Sequence, residues 1–260
     1  MDDEFSKRDA LAGISLGAGS GRTYALDAFD VAPAEKYPSG LPLQMRGGVP
    51  LLPPLSPARR LNLVAKRGLD LVLCVLALVA LAPLLLGVAA LIKLTSPGPV
   101  LFVQYRPGYG GVRFPLLKFR TMHADRGDMS GVAQTQANDP RVTRIGAFLR
   151  RTSIDELPQL LNVLAGHMSL VGPRPHPANM RAAGKLYQEL VPYYDLRLVM
   201  RPGLSGWAQA NGYRGPTIDA RSARARIEHD MAYIQNFSLA LDLRIILITL
   251  RKEFLGGTGF

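Results

Sequence analysis

Twenty-two consecutive residues, Leu71 to Ile92 (LVLCVLALVALAPLLLGVAALI), carry no charged side chain. As a straight helix this run measures about 33 Å, enough for a bilayer hydrocarbon core of about 30 Å. A buried core helix is the competing reading, but core helices seldom run this long without a polar face. A membrane helix over 69–93 is therefore expected. Pro83 divides the run into 12 and 9 residues and removes one helical hydrogen bond, so a kink is expected there. Basic residues flank both ends: Arg59, Arg60, Lys66 and Arg67 before, Lys93, Arg106, Arg113, Lys118 and Arg120 after. Positively charged flanks are held on the cytoplasmic side. A span cannot satisfy both flanks, whereas a re-entrant helix bent at Pro83 can. Pro-kinked spans are common, so on these grounds both topologies stand.

The formal net charge is +11, and its placement matters more than its size. Residues 1–60 hold seven basic and seven acidic residues, so the whole excess belongs to 61–260, with 24 basic against 13 acidic. The first stretch also carries GAGSG at 17–21 and seven prolines between Pro33 and Pro57, with no apolar period. Residues 1–58 read as a disordered leader and 59–260 as the folded domain. The leader is no secretory signal, because it opens with Asp2, Asp3 and Glu4 and has no long apolar stretch. One cysteine, Cys74, excludes a disulfide scaffold.

Beyond the apolar run, VLFVQY and VRFPLLKF are β-prone segments joined by a glycine-rich turn, which predicts a hairpin ending in Lys118, Phe119 and Arg120. Two cations two residues apart share one strand face, which suits an oxyanion; a charge-guarded edge strand is the plainer alternative. Residues 138–165 place Arg141, Arg144, Arg150 and Arg151 ahead of an adjacent acid pair, Asp155-Glu156. Ser153 to Glu156 fits a capping box, and Pro158 requires a helix to start or bend within that turn. Acids in a first helical turn are ordinary capping residues, yet the same position also favours phosphate.

Neighbouring segments add to the acid pair. Pro173 and Pro175 fix the backbone around Arg174, reducing the entropy lost when that cation binds. The glycine-rich stretch 201–215, RPGLSGWAQANGYRG, carries Arg201 and Arg214 at its edges, and arginine suits bidentate phosphate contact. Residues 217–255 read as helical, with Ile227, Met231 and Ile234 at helical spacing. LALDLRIILITL (239–250) is too short to span a membrane and either lies in the interface or closes the core. No GxxxxGK[ST], HExxH or soluble DxD occurs, and the four histidines show no metal-ligand spacing. An acid pair among the cations, beside an apolar anchor, also argues against a nucleic-acid partner.

These residues carry a family resemblance. KRGLDL (66–71), IKLTSPGPVLFVQYRPG (92–108), LLKFRTM (116–122), the long block 139–175 ending in GPRP, RPGLSGWAQANGYRG (201–215) and 226–250 are similar to the bacterial monotopic phosphoglycosyl transferases. That family initiates exopolysaccharide or O-antigen repeat-unit assembly. The chain resembles its short form, since no apolar span precedes residue 59. The resemblance implies an α+β, mainly helical, monotopic membrane protein with a Pro-kinked re-entrant helix, a small β-hairpin and interfacial amphipathic helices. It implies transfer of hexose-1-phosphate, with glucose or galactose favoured, from a UDP-sugar to undecaprenyl phosphate with release of UMP. Asp155 would be the nucleophile, forming a covalent aspartyl-phosphosugar, and Glu156 the Mg²⁺ ligand. Lys118, Arg120, Arg174, Arg201 and Arg214 are expected at phosphates, with Arg67 and Pro83 serving the membrane anchor. Ala82 stands where the family often has serine before the break proline. The implied location is the cytoplasmic face of the bacterial inner membrane, in contact with its lipid, and a homodimer is allowed. The alternative from a different class is a non-catalytic basic scaffold that binds anionic lipid or polysaccharide-assembly partners.

Overall fold

The computed structural model describes residues 35–36, 40–124, 139–215, 217 and 219–256. GAGSG and the rest of residues 1–34 lie outside the described residues. The architecture is mainly helical, with small two-stranded sheets.

The dominant element is α1, Pro57–Thr95, 39 residues long and about 58 Å from end to end. It starts a full three turns before the apolar run because its first turns have their own signals. The Ser56 side chain accepts from the Arg59 amide at 3.2 Å, and Pro57 occupies the first turn, where its missing N–H costs nothing. Helical structure continues on both sides of Pro83. Only one stripe is buried: Lys66, Asp70 and Cys74, then Val88 and Ile92, each set at a spacing of four. The opposite face is bare, with Val79 and Leu86 each 72% exposed, so α1 is not a core helix.

That buried stripe meets the rest of the protein in two places. Cys74 packs with Phe114, Leu116, Leu160, Val163 and Met168, and Val88 and Ile92 pack with Phe119 and Leu149. The expected hairpin is present: β1, Leu101–Pro107, pairs antiparallel with β2, Arg113–Phe119, through seven residue pairs. Gly110 and Gly111 take positive φ in its turn, where a side chain would be strained. Two short helices follow, α2 (Arg144–Arg151) and α3 (Gln159–Leu164). Asn162 stitches α3 to β2, accepting from the Leu117 amide at 2.9 Å and donating to the Pro115 carbonyl at 2.7 Å.

Strand β3, Ser169–Val171, lies parallel to β4, Gly203–Ser205. The main core sits between this pair and two further helices, α4 (Ala220–Asn236) and α5 (Leu239–Gly256), so the single helical stretch expected over 217–255 is broken at Phe237 and Ser238. For α5 the two readings merge. Leu241, Asp242 and Ile245 are buried in the core, while Leu243, Leu247 and Leu250 are exposed on the other face.

Residues 40–56, which composition groups with the leader, are placed by two amide side chains of α4. Gln235 donates to the carbonyls of Gln44 and Leu51, each at 2.8 Å, and Asn236 donates to the Pro42 carbonyl at 2.7 Å. Leu43 is buried against the main core. An ordering contact made by a distant side chain leaves no periodic trace in the segment it orders.

Candidate active site

Asp155 and Glu156 sit in a single 3-10 turn, Ile154–Glu156, between α2 and α3. The expected capping box is not formed. Ser153 adopts φ 54°, a left-handed conformation unusual for serine, and its side chain caps nothing. Glu156 does not reach back to the backbone, because two cations hold it. Lys118 Nζ is 2.7 Å from Oε1, and Arg174 donates to both carboxylate oxygens, at 2.5 and 3.2 Å. The strain at Ser153 and the forfeited cap accompany a turn that delivers both acids to one place. Pro158 then opens α3, as its position required.

Each cation is aimed by a separate element. Lys118 projects from β2 on the sheet face that it shares with Phe102, its register partner. Arg174 stands between its prolines on a loop pinned by close backbone contact. The Gly172 amide donates to Ser205 O and the Gly203 amide to Pro173 O, both at 2.9 Å. A Cβ on Gly203 would overlap the backbone of Gly172, so glycine here is a packing requirement. Behind the loop, buried Arg197 donates to the Arg174 carbonyl and to His176 Nδ1, and lies 3.6 Å from Asp230. Burial, with Arg197 next to it, holds His176 well below its ordinary value and therefore neutral.

The two acids have opposite environments. Burial pushes Glu156 upward, but Arg174 and Lys118 outweigh it and hold the carboxyl well below the usual carboxylate range. Asp155 is 8% exposed and, among the described residues, accepts no hydrogen bond and forms no ion pair. Burial pushes it up to about 6, with Lys118 pulling against that and the Glu156 charge adding to it. One acid is neutralised by its partners and the other is left buried and under-stabilised as an anion. Such a division is a recurrent mark of two carboxylates with separate jobs.

Not every expected residue joins them. Arg120 turns away to the end of α1, where it donates to the Ser96 carbonyl at 2.8 Å and to the Pro97 carbonyl. Arg201 donates to Gly166 O at 3.0 Å and lies over the Tyr109 ring. Among the described residues no hydrogen bond or ion pair joins Arg214 to either carboxyl. Arg67 donates to the carbonyls of Val163 and Leu164, at 2.8 and 3.1 Å, closing the C-terminal end of α3. Two unexpected cations stand close instead: Arg150, beside Asp155 and bonded to Thr121 Oγ1 at 2.8 Å, and Arg106, beside Arg174 and Glu156. The legible signal for Arg106 was its place on a strand two residues after Gln104, whose side chain accepts from it.

The donor set bears on a divalent metal. Among the described residues no three His, Cys, Asp or Glu side chains stand together. Glu156 with Asp155 therefore offers hard carboxylate oxygens but not a complete protein shell. That fits Mg²⁺, which commonly takes one or two carboxylates and completes its shell with substrate phosphates and water.

Known proteins resemble this chain over most of its length. Residues 61–256 match the family model described as bacterial sugar transferase. The chain is 58% identical over 200 residues to the exopolysaccharide production protein PSS of Rhizobium leguminosarum bv. phaseoli, covering 77% of this chain and 100% of that protein. It is 48% identical over 204 residues to an undecaprenyl-phosphate glucose phosphotransferase of Komagataeibacter xylinus, covering 78% of this chain but 38% of that longer protein. It is 50% identical over 217 residues to a UDP-glucose:undecaprenyl-phosphate glucose-1-phosphate transferase of Caulobacter vibrioides, covering 84% of this chain and 78% of the relative.

Proposed function

The chain belongs to the bacterial sugar transferase family, and from that premise we propose that it transfers glucose-1-phosphate from UDP-glucose to undecaprenyl phosphate, releasing UMP. The observation that carries the reading is the asymmetric acid pair: Asp155 buried and, among the described residues, without a hydrogen bond or ion pair, Glu156 tied to Lys118 and Arg174.

In the proposed mechanism an Asp155 carboxylate oxygen attacks the sugar-bearing phosphorus of UDP-glucose. The bond from that phosphorus to the bridging oxygen breaks, and UMP leaves with the electron pair. A glucosyl-phosphoryl group is then ester-linked to Asp155. A phosphate oxygen of the lipid attacks the same phosphorus and returns Asp155 as a carboxylate. An anion attacking a diphosphate meets like charge, so Lys118 and Arg174 must turn from Glu156 to the phosphoryl oxygens. Glu156 would hold Mg²⁺, which when bound supplies further neutralisation of phosphate charge. Because burial outweighs the cations near Asp155, its ionised form is the more reactive one, and turnover should rise with pH through about 6.

The packing of α1 supports a re-entrant or in-plane helix over a span. One folded body touches Cys74 before Pro83 and Val88 and Ile92 after it, and Arg67 is bonded to that same body. Arg67 and Ile92 are about 37 Å apart along the helix axis, so a perpendicular span would draw polar parts of the domain into hydrocarbon. This reading places the domain on the cytoplasmic face of the inner membrane, where the lipid phosphate lies.

The test uses the full chain in nanodiscs with undecaprenyl phosphate and separate UDP-sugars, glucose and galactose first. UMP release with UDP-glucose is expected, together with its loss on chelation and in Asp155→Asn. Without lipid acceptor, labelled sugar should remain on the wild-type protein. Unchanged release in Asp155→Asn would reject the nucleophile, and no release with any UDP-sugar would favour the scaffold. Labelling single cysteines at Ser56 and Thr95 from opposite sides of the membrane would reject the re-entrant topology.

A further inference from the structure

The cations around the acid pair are not balanced by it. Arg174 and Lys118 share Glu156, and its two oxygens are taken up by them. Arg106 stands at the same place, within reach of the Glu156 charge but forming no ion pair among the described residues. Among those residues its side chain donates to the Gln104 amide oxygen, and its Nε is buried with no hydrogen-bond acceptor. A buried guanidinium nitrogen left without an acceptor is costly unless something else supplies one.

The hairpin explains how Arg106 arrives there. Gln104 and Arg106 alternate along β1 and so lie on one sheet face, shared with their register partners Leu116 and Phe114 and with Lys118 further along β2. That face is turned inward, since Phe114, Leu116 and Gln104 are buried. The next residue, Pro107, lines a small cleft together with Pro173 and Pro175, the two prolines that bracket Arg174. The backbone segments that carry Arg106 and Arg174 therefore meet at one junction, and the charges of Arg174 and Glu156 both act on Arg106. Burial first, and then the Arg174 charge, lower Arg106 to about 10 against the opposing pull of Glu156.

We infer that Arg106 is a direct ligand of the diphosphate group of the substrate, closing with Arg174 a pair of guanidinium groups around it. The inference rests on the UDP-sugar reading above and assigns a residue to that substrate. Gln104 is the positioning residue: its bond to Arg106 orients the guanidinium plane, leaving the remaining N–H donors for phosphate oxygens. Lysine could retain the charge but would lose the planar fork, so Arg106→Lys is a graded variant.

The experiment measures binding, independently of turnover. Full-length protein in nanodiscs is titrated with UDP and with uridine by calorimetry, and unliganded melting is recorded in parallel. For Arg106→Gln, UDP affinity should fall roughly tenfold or more, as for loss of a charge-assisted hydrogen bond, while any uridine binding is retained. Arg106→Lys should recover most of the UDP affinity. Wild-type UDP affinity in Arg106→Gln would overturn the inference, as would wild-type protein that fails to bind UDP. So would equal loss of UDP binding in both variants with equally lowered melting, which marks a structural role. If UDP binds through Arg106 but wild-type protein releases no UMP from any UDP-sugar, the transferase reading fails and the diphosphate site stands.

Discussion

Removing the charge of Asp155 should inactivate the protein and stabilise it. A carboxyl with an ordinary value of 3.8 that is pushed to about 6 in the folded state resists ionisation there. At ~1.4 kcal/mol per pH unit, keeping it ionised at neutral pH costs ~3 kcal/mol of folding free energy. The sign follows from the proton count. Below about pH 4 the group is protonated in both folded and unfolded states, and no penalty exists. Between about 4 and 6 the unfolded chain releases its proton first, so stability falls as pH rises, and above that range the penalty is complete. Asp155→Asn removes it, with part of the gain lost because the amide brings donors into a site with no acceptor prepared for them. A net gain of ~1–3 kcal/mol at pH 7.5 is expected, or several degrees in melting temperature for a domain of this size. Melting curves in one detergent from pH 4 to 8 check it. The variant and the wild type should coincide near pH 4 and separate as pH rises. Parallel melting lines across that range, or a variant less stable than wild type at pH 8, would refute the account of Asp155 as a buried, unpartnered anion.

Two further outcomes follow from the packing. Lys66 Nζ lies 2.6 Å from Asp242 and 3.8 Å from Asp70, all of them buried, and joins α1 to α5. Lys66→Met should destabilise by ~3–5 kcal/mol because it strands buried carboxylates. Lys66→Met with Asp242→Asn should recover much of the loss, since Tyr233 can still donate to the amide oxygen, and paired melting curves show it. Gly203→Ala should cost ~1–3 kcal/mol by forcing β4 away from β3, and it should lower UMP release as well because the same contact pins Arg174. Gly68→Ala is the control: a Cβ there meets nothing within 4 Å, and the change should be neutral or gain ~0.5–1 kcal/mol.

The long helix, the hairpin, the acid pair and the Pro-bracketed arginine were legible because each rests on local chemistry: unbroken apolarity, β-branched and aromatic runs around glycines, and fixed backbone around a cation. What was misread was in each case settled by a partner distant in sequence. Ser153 to Glu156 has the composition of a capping box, and local rules alone would have formed one. Lys118 and Arg174, 38 and 18 residues away, offer Glu156 two charged donors where the cap offers one amide. Charge-assisted bonds are about twice as strong as neutral ones, so the cap loses. Arg120 illustrates the opposite direction. Its spacing from Lys118 suggested a shared phosphate, but the carbonyls at the end of α1 lie nearer, and a helix C-terminus is itself a site for a cation. Basic residues near an acid pair in sequence therefore overstate the site until the helix ends have claimed theirs.

Once those claims are met, the cations left at the acid pair are Lys118, Arg174, Arg106 and Arg150, against two carboxylates. Asp139 acts on Arg150 and Asp230 on Arg174, so part of that positive charge is met within the protein, in a place where uncompensated charge is costly. A nucleotide-sugar diphosphate brings about two negative charges, one for each phosphate. On the proposed reading Lys118, Arg174 and Arg106 take up that charge when the soluble substrate binds. The lipid acceptor then adds a phosphate monoester with a charge of about −1.5 to −2, as phosphorylated side chains carry at neutral pH. It arrives after UMP has carried its own charge away, and it too approaches a phosphoryl group as an anion. A divalent cation on Glu156 would supply the matching amount, which gives the dyad's second carboxylate a purpose distinct from that of Asp155. In the structure Arg174 and Lys118, outweighing burial, keep Glu156 ionised, and a divalent cation in their place would hold it so when they turn to phosphate.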